Sequence, residues 1–425
     1  MMRLRFIFLL LLSLLVSEPL FAQKKRTAKK KRKQSVELIE SLMRTEPEAF
    51  GKIMKNKSAL RLQIIYTMIN RDSTGKPSFT EYRYGDAPFP YYYPASLVKL
   101  PVSLLSLEKI NSLKATGVTS ASEMHTLKEG NCQVQVLNDS TDRNFKPSVE
   151  HYIKRMMLIS DNDSYSRMYE FLGYSHINQR MHELGFPDSR IVHRFDAWCS
   201  ERDNLCTNPI QFLDSTGKVI YSQPQICAVA PYKHPLKKVS VGKAYMAGKK
   251  KIRRGKNFTR MNHLPLNEID RVLKKLVFPE IYPESQRFLI EEKDRRFMLK
   301  YMGMFPRESQ NPVYPFKPFE DSYKKYWIYG NTHDTIQSDS IRIYNVVGLS
   351  YGFLADCAYI TDPSNGVEFF LSAALYANKD GVLNDGKYDY KTVGFPFFEK
   401  FGKLIYDFER ARKKNYPADF SSLPD

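Results

Sequence analysis

Two short stretches hold residue types suited to nucleophilic chemistry. The first, Ser96-Leu-Val-Lys99, sets a hydroxyl three positions before an amine. At a helix start that spacing puts both on one face. An apolar run follows Ser96, so the hydroxyl sits near the helix N-terminus, where free N–H groups and the dipole favour developing negative charge. An unprotonated Lys99 can take the hydroxyl proton and make Ser96 a nucleophile. The same spacing recurs at Ser73/Lys76, Ser106/Lys109, Ser215/Lys218, Ser240/Lys243 and Ser322/Lys325. Only Ser96 has a strand, a loop and a helix around it in the right order. A plain N-cap is the structural alternative for Ser96. Pro101 is expected to cost a backbone hydrogen bond just past the first turn.

The second stretch is Ser160-Asp161-Asn162, between two predicted helices. A second hydroxyl here can relay a proton to a leaving group, and the Asn amide can bind a substrate carbonyl and the lysine. Helix capping is again the alternative, since Ser, Asp and Asn all cap.

In this order and at this separation, the two stretches resemble the class A β-lactamases and related penicillin-binding transpeptidases. The resemblance rests on Phe89-Pro-Tyr-Tyr-Tyr-Pro-Ala-Ser-Leu-Val-Lys-Leu and Met157-Leu-Ile-Ser-Asp-Asn-Asp-Ser-Tyr-Ser. It extends to Glu170-Phe-Leu-Gly, Met181-His-Glu-Leu-Gly, Thr207-Asn-Pro, the helix at 265–277, and Gly348-Leu-Ser-Tyr-Gly-Phe-Leu-Ala-Asp-Cys-Ala-Tyr-Ile. It implies that Ser96 is acylated, that Lys99 activates it, that Ser160 shuttles the proton and that Asn162 positions substrate. It also implies an oxyanion hole from the backbone N–H groups of Ser96 and Leu349.

Two positions depart from that family. Its Lys-Thr-Gly motif reads Val346-Val347-Gly348 here. The glycine survives and is expected to let substrate backbone approach, but the groups that hold a substrate carboxylate are missing. Lys391-Thr-Val-Gly lies beyond the strands and is no substitute. The family's Asp-Arg-x-Glu stretch, which carries the deacylating base, corresponds to His193-Arg194-Phe195-Asp196. Asp196 would be that base, one methylene short of Glu, with Glu201 a second choice. A salt bridge of Asp196 with Arg194 or Arg202 is the structural alternative.

These residues need a scaffold. Apolar spacing predicts a helical stretch at 36–56, then a hairpin of strands near 60–70 and 79–84. Helices are predicted at 97–113, 148–158, 162–172, 175–184 and 266–276. Strands return at 341–347, 351–361 and 367–376, followed by a helix at 395–412. The fold class is therefore α+β. The N-terminal hairpin pairs with the C-terminal strands in one antiparallel sheet flanked by helices, and the middle of the chain forms an all-helical second lobe. Residues 210–262 read as a surface insertion with a basic loop, and 302–340 as an irregular Pro- and Tyr-rich one.

The first 22 residues read as a secretory signal peptide, and 23–34 as a basic disordered linker. The hydrolase domain would span 35–412, and 413–425 a C-terminal tail. The formal charge is +19. Residues 24–33 supply part of it and suit an anionic envelope surface. No nucleic-acid motif accompanies the charge, and export opposes that use. Export also permits disulfides. The five cysteines are Cys132, Cys199, Cys206, Cys227 and Cys357. Cys199–Cys206 is the expected bridge, and an odd count leaves at least one thiol over. The scattered histidines indicate no metal site, and no cofactor is expected. The leading expectation is an exported serine hydrolase acting on a β-lactam or related cyclic amide. A cell-wall peptidase or esterase, and an impaired envelope-binding protein, are the other two readings.

Overall fold

A computed structural model describes residues 36–424 except 131, 196–198, 234, 238, 332–334 and 337–339. The expected signal peptide, the basic linker and Asp196 lie outside the described residues.

The chain starts with α1 (36–44) and α2 (Pro47–Lys55), then the hairpin β1 (Gln63–Arg71) and β2 (Pro77–Gly85). A 3-10 turn at Ala95–Val98 runs into α3 (Lys99–Ser112). Next come β3 (Glu123–Thr126), α4 (Val149–Ile159), α5 (Asn162–Leu172) and α6 (Tyr174–Glu183). Short strands follow: β4 (Ile210–Leu213), β5 (Val219–Gln223), β6 (Ser240–Val241), β7 (Ala244–Ala247), β8 (Lys250–Ile252) and β9 (Lys256–Asn257). Then come α7 (Leu266–Val277), α8 (Glu292–Gly303) and a kinked single turn, α9 (Tyr326–Tyr329). The chain closes with β10 (Arg342–Ser350), β11 (Phe353–Asp362), β12 (Val367–Tyr376), β13 (Val382–Leu383) and α10 (Phe395–Ala411). None of the described helices is long and apolar enough to cross a membrane.

The main sheet has the order β10-β11-β12-β1-β2, and every neighbouring pair is antiparallel. Its first and last strands in the chain are thus joined, as the sequence pattern requires. Both faces are covered, which explains the nearly unbroken apolar runs of β11 and β12. Leu354, Ala358 and Ile360 face Phe398, Phe401 and Trp327 on the α10 side. Phe353, Ala355, Cys357 and Tyr359 face α3 and α7. Period-two alternation sends neighbouring residues to opposite cores. The last residues do not trail away: Arg295 donates to the Ser422 carbonyl at 2.7 Å, and Leu423 is buried.

The structure departs from the sequence pattern at several points. The second lobe is not all-helical. It also carries a three-stranded sheet, β3-β4-β5, because 210–223 folds back onto β3. The insertion adds a β13-β7-β8 sheet and a β6-β9 pair. Pro101 falls in the first turn of α3, where proline is tolerated, although the 3-10 turn before it offers carbonyls that Lys99 N uses. The 292–303 stretch is a helix that the apolar spacing did not mark. Finally, Cys199 and Cys206 do not pair. Cys132 joins Cys199 and Cys206 joins Cys227, with Cys357 free and buried. The chain between Cys199 and Cys206 is wound into a 3-10 turn at Asp203–Leu205, while Cys206 and Cys227 face each other across a backbone bridge. Peptide mapping without reductant should therefore find 132–199 and 206–227 links and one free thiol. A 199–206 link would contradict this arrangement.

Candidate active site

The site is built around the side chain of Lys99, which is fully buried. Its Nζ donates to Ser96 Oγ at 2.8 Å, Ser160 Oγ at 3.0 Å and Asn162 Oδ1 at 2.6 Å, and also to the Ser160 carbonyl. The ring of Phe195 lies 5.4 Å away. Ser96, Ser160 and Asn162 are each partly exposed. Thus a buried amine is covered by two hydroxyls and an amide that solvent can reach. The 2.8 Å separation is within proton-transfer reach.

Local backbone geometry makes this possible. Ala95 has φ +45°, a left-handed conformation that a side chain seldom adopts. It turns the chain sharply before Ser96. Ser96 does not cap the helix; its hydroxyl faces Lys99 instead. On the other side, α4 ends at Ser160, also left-handed with φ +59°. This aims both the Ser160 carbonyl and its hydroxyl at Lys99. Asp161 does the capping, accepting from Ser164 N at 2.7 Å. Its carboxylate also receives Arg155 at 2.9 Å. The motif thus divides its labour, with Ser160 and Asn162 facing the amine and Asp161 fixing the helix junction.

The edge strand β10 forms the opposite wall. A Cβ on Gly348 would lie 2.3 Å from the Pro94 carbonyl oxygen. The glycine is therefore needed for the turn before Ser96 to approach the strand. Leu349 follows on the same edge and is 39% exposed, while Val346 and Val347 are buried. Neither valine offers a polar group to the cleft.

The segment before Asp196 is firmly held. Ser166 Oγ donates to Phe195 O at 2.8 Å and accepts from Phe195 N at 3.0 Å. Tyr165 stacks on Phe195 with centroids 4.4 Å apart, and its hydroxyl donates to His193 O. Arg194 is buried and pairs with buried Glu170 at 2.9 Å. It also donates to the Cys206 carbonyl and lies over Tyr169. Glu170 in turn accepts from Asn208. Among the described residues, the carboxylate paired with Arg194 is Glu170 of α5. Arg155, Ile159, Asn311 and Tyr314 line a hollow of about 550 Å³ next to the end of α4.

Sequence reasoning missed one pair. Lys324 Nζ donates to the Met157 carbonyl at 2.6 Å, and the Lys324 carbonyl accepts from Asn345 Nδ2 at 2.6 Å. Lys325 Nζ donates to the Ile343 carbonyl and to Asn345 Oδ1. Asn345 also donates to buried Asp356. Burial lowers both lysines and raises Asp356. The cluster ties the end of α4, and so Ser160, to the edge strand. A lysine pair in a Pro- and Tyr-rich stretch gives no periodic signal. Among the described residues no group of His, Cys, Asp and Glu could hold a metal ion.

Residues 83–221 match the β-lactamase enzyme family, over the segment that carries both motifs. Similar solved structures include a β-lactamase from Burkholderia phymatum, at 11% identity, covering 90% of this chain and 100% of that one, TM-score 0.46. Another is PBP-A, at 13% identity, covering 85% of this chain and 96% of that one, TM-score 0.45. A class A β-lactamase from Clostridium kluyveri aligns at 11% identity over 85% and 99%, TM-score 0.43. No curated protein matches the chain.

His193 supplies a pH test. Burial pushes its imidazole down to about 4. Below about pH 6.5 the unfolded chain takes up a proton that the folded chain refuses, so stability falls with pH until about pH 4. Denaturant melts at pH 7 and pH 4.5 should differ by about 2–3 kcal/mol more for the native chain than for His193→Gln. Equal losses would show that His193 is not held neutral.

Proposed function

We propose that the protein is an exported serine hydrolase that forms an acyl-enzyme on Ser96. The observation that carries this reading is the contact of Lys99 Nζ with Ser96 Oγ, Ser160 Oγ and Asn162 Oδ1. Lys99 takes the Ser96 proton as Oγ attacks a strained or activated amide carbonyl. The oxyanion is met by the backbone N–H groups of Ser96 and Leu349, each worth about 2.7–4 kcal/mol in such sites. Lys99 and Ser160 pass the proton on to the departing nitrogen. Asn162 holds the substrate amide.

The substrate class is a β-lactam or a cell-wall-derived amide. Deacylation would use Asp196 to activate water. The apolar Val346-Val347 pair leaves the usual carboxylate contacts unmade, which favours slow turnover. The signal-like first 22 residues and the two disulfides support export, and the basic residues 24–33 suit an anionic envelope surface.

Intact mass spectrometry with benzylpenicillin tests the acylation. The native protein should gain one penicillin mass, and Ser96→Ala none. A gain in both proteins, or in neither, would overturn acylation of Ser96 by a penicillin.

A further inference from the structure

The insertion at 210–262 reaches the cleft. Phe258 is fully buried and packs against Tyr93 and Tyr351, with centroids 5.6 and 5.3 Å away. Tyr93 precedes Ser96 by three residues, and Tyr351 follows the edge strand β10 directly. Phe258 therefore anchors β9 beside the Ser96 turn. Two positions earlier, Lys256 Nζ lies 5.3 Å from the ring of Tyr245 and 5.3 Å from that of Tyr351. Among the described residues no carboxylate pairs with it. Burial lowers its pKa. A half-buried cation held only by ring faces keeps N–H donors for a ligand.

The position along the strand says which part of a substrate it would meet. Ser160 is tied to the Asn345 end of β10, because Lys324 bonds both Met157 and Asn345. Tyr351 lies at the other end. From Asn345 to Ser350 the strand rises about 16 Å. The leaving group departs at Ser160, so the acyl portion points toward Tyr351 and Lys256. Exposed Lys250, Lys251, Arg253 and Arg254 on the same insertion add positive potential there.

We propose that Lys256, between Tyr245 and Tyr351, is an anion subsite that selects substrates bearing a carboxylate on their acyl portion. This rests on the acyl-enzyme reading of Ser96 for its orientation. It assigns the insertion a role in specificity.

The test compares benzylpenicillin with its α-carboxy derivative, which differ only by a carboxylate on the acyl side chain. Dissociation constants are measured by calorimetry on Ser96→Ala, where no acyl-enzyme can form. The carboxy derivative should bind about tenfold more tightly. Adding Lys256→Met should bring the ratio to about one, and Lys256→Arg should retain it. A retained preference in Lys256→Met, equal binding of both compounds to Ser96→Ala, or binding of neither would overturn the subsite. Preferential binding by Ser96→Ala together with no adduct on the native protein would uphold the subsite and reject acylation.

Discussion

A buried lysine must be supplied with oxygen, and at Lys99 that requirement organises the site. The amine is fully enclosed. Leaving it without acceptors would cost several kcal/mol. Its acceptors come from three places in the chain: the turn at Ser96, the end of α4 at Ser160 and the start of α5 at Asn162. Two of these positions demand unusual backbone. Ala95 and Ser160 both adopt positive φ, and such conformations persist only where surrounding structure over-determines them. Here that structure is the sheet edge on one side and the α4–α5 junction on the other.

The sheet and the helical lobe meet through a few specific devices. Gly348 permits contact between β10 and Pro94. Lys324 joins α4 to Asn345 on β10. The Arg194–Glu170 pair and the Ser166 contacts lock the 193–195 segment to α5. Each is a close polar or steric fit in a region that larger apolar cores hold rigid. A shift in any of them moves an acceptor of Lys99 or the wall opposite Ser96.

The sheet and most helices were legible in the sequence because burial writes itself as periodicity. β11 and β12 are largely apolar on both faces, and α7 keeps its apolar residues at helical spacing, although Glu268, Asp270, Lys274 and Lys275 are buried beside them. Ser96, Lys99, Ser160 and Asn162 were legible because their types are chemically rare in that order. What was hidden depends on contacts across long stretches of chain. The α8 helix opens with Glu292-Lys-Asp-Arg-Arg, and its start is set by the Asp294 carboxylate accepting from Glu291 N at 3.0 Å rather than by a Ser or Thr cap. The disulfide partners are decided by how residues 132 and 227 fold back onto the 199–206 loop. Lys256 and Lys324 sit in segments without periodic pattern, and their surroundings are built by residues dozens of positions away. Gly348 showed in the sequence, but the group pressing against it did not.

The claim on which the account turns is that Lys99 activates Ser96, whatever the substrate. A fluorophosphonate reacts with activated serines without needing recognition as a β-lactam. Treating the native protein with one and mapping the modified peptides measures activation directly. The account predicts that Ser96 is phosphonylated and that Lys99→Met, folded to the same extent by circular dichroism, is not. An unmodified Ser96 in the native protein, or equal labelling of Ser96 in both, would contradict it.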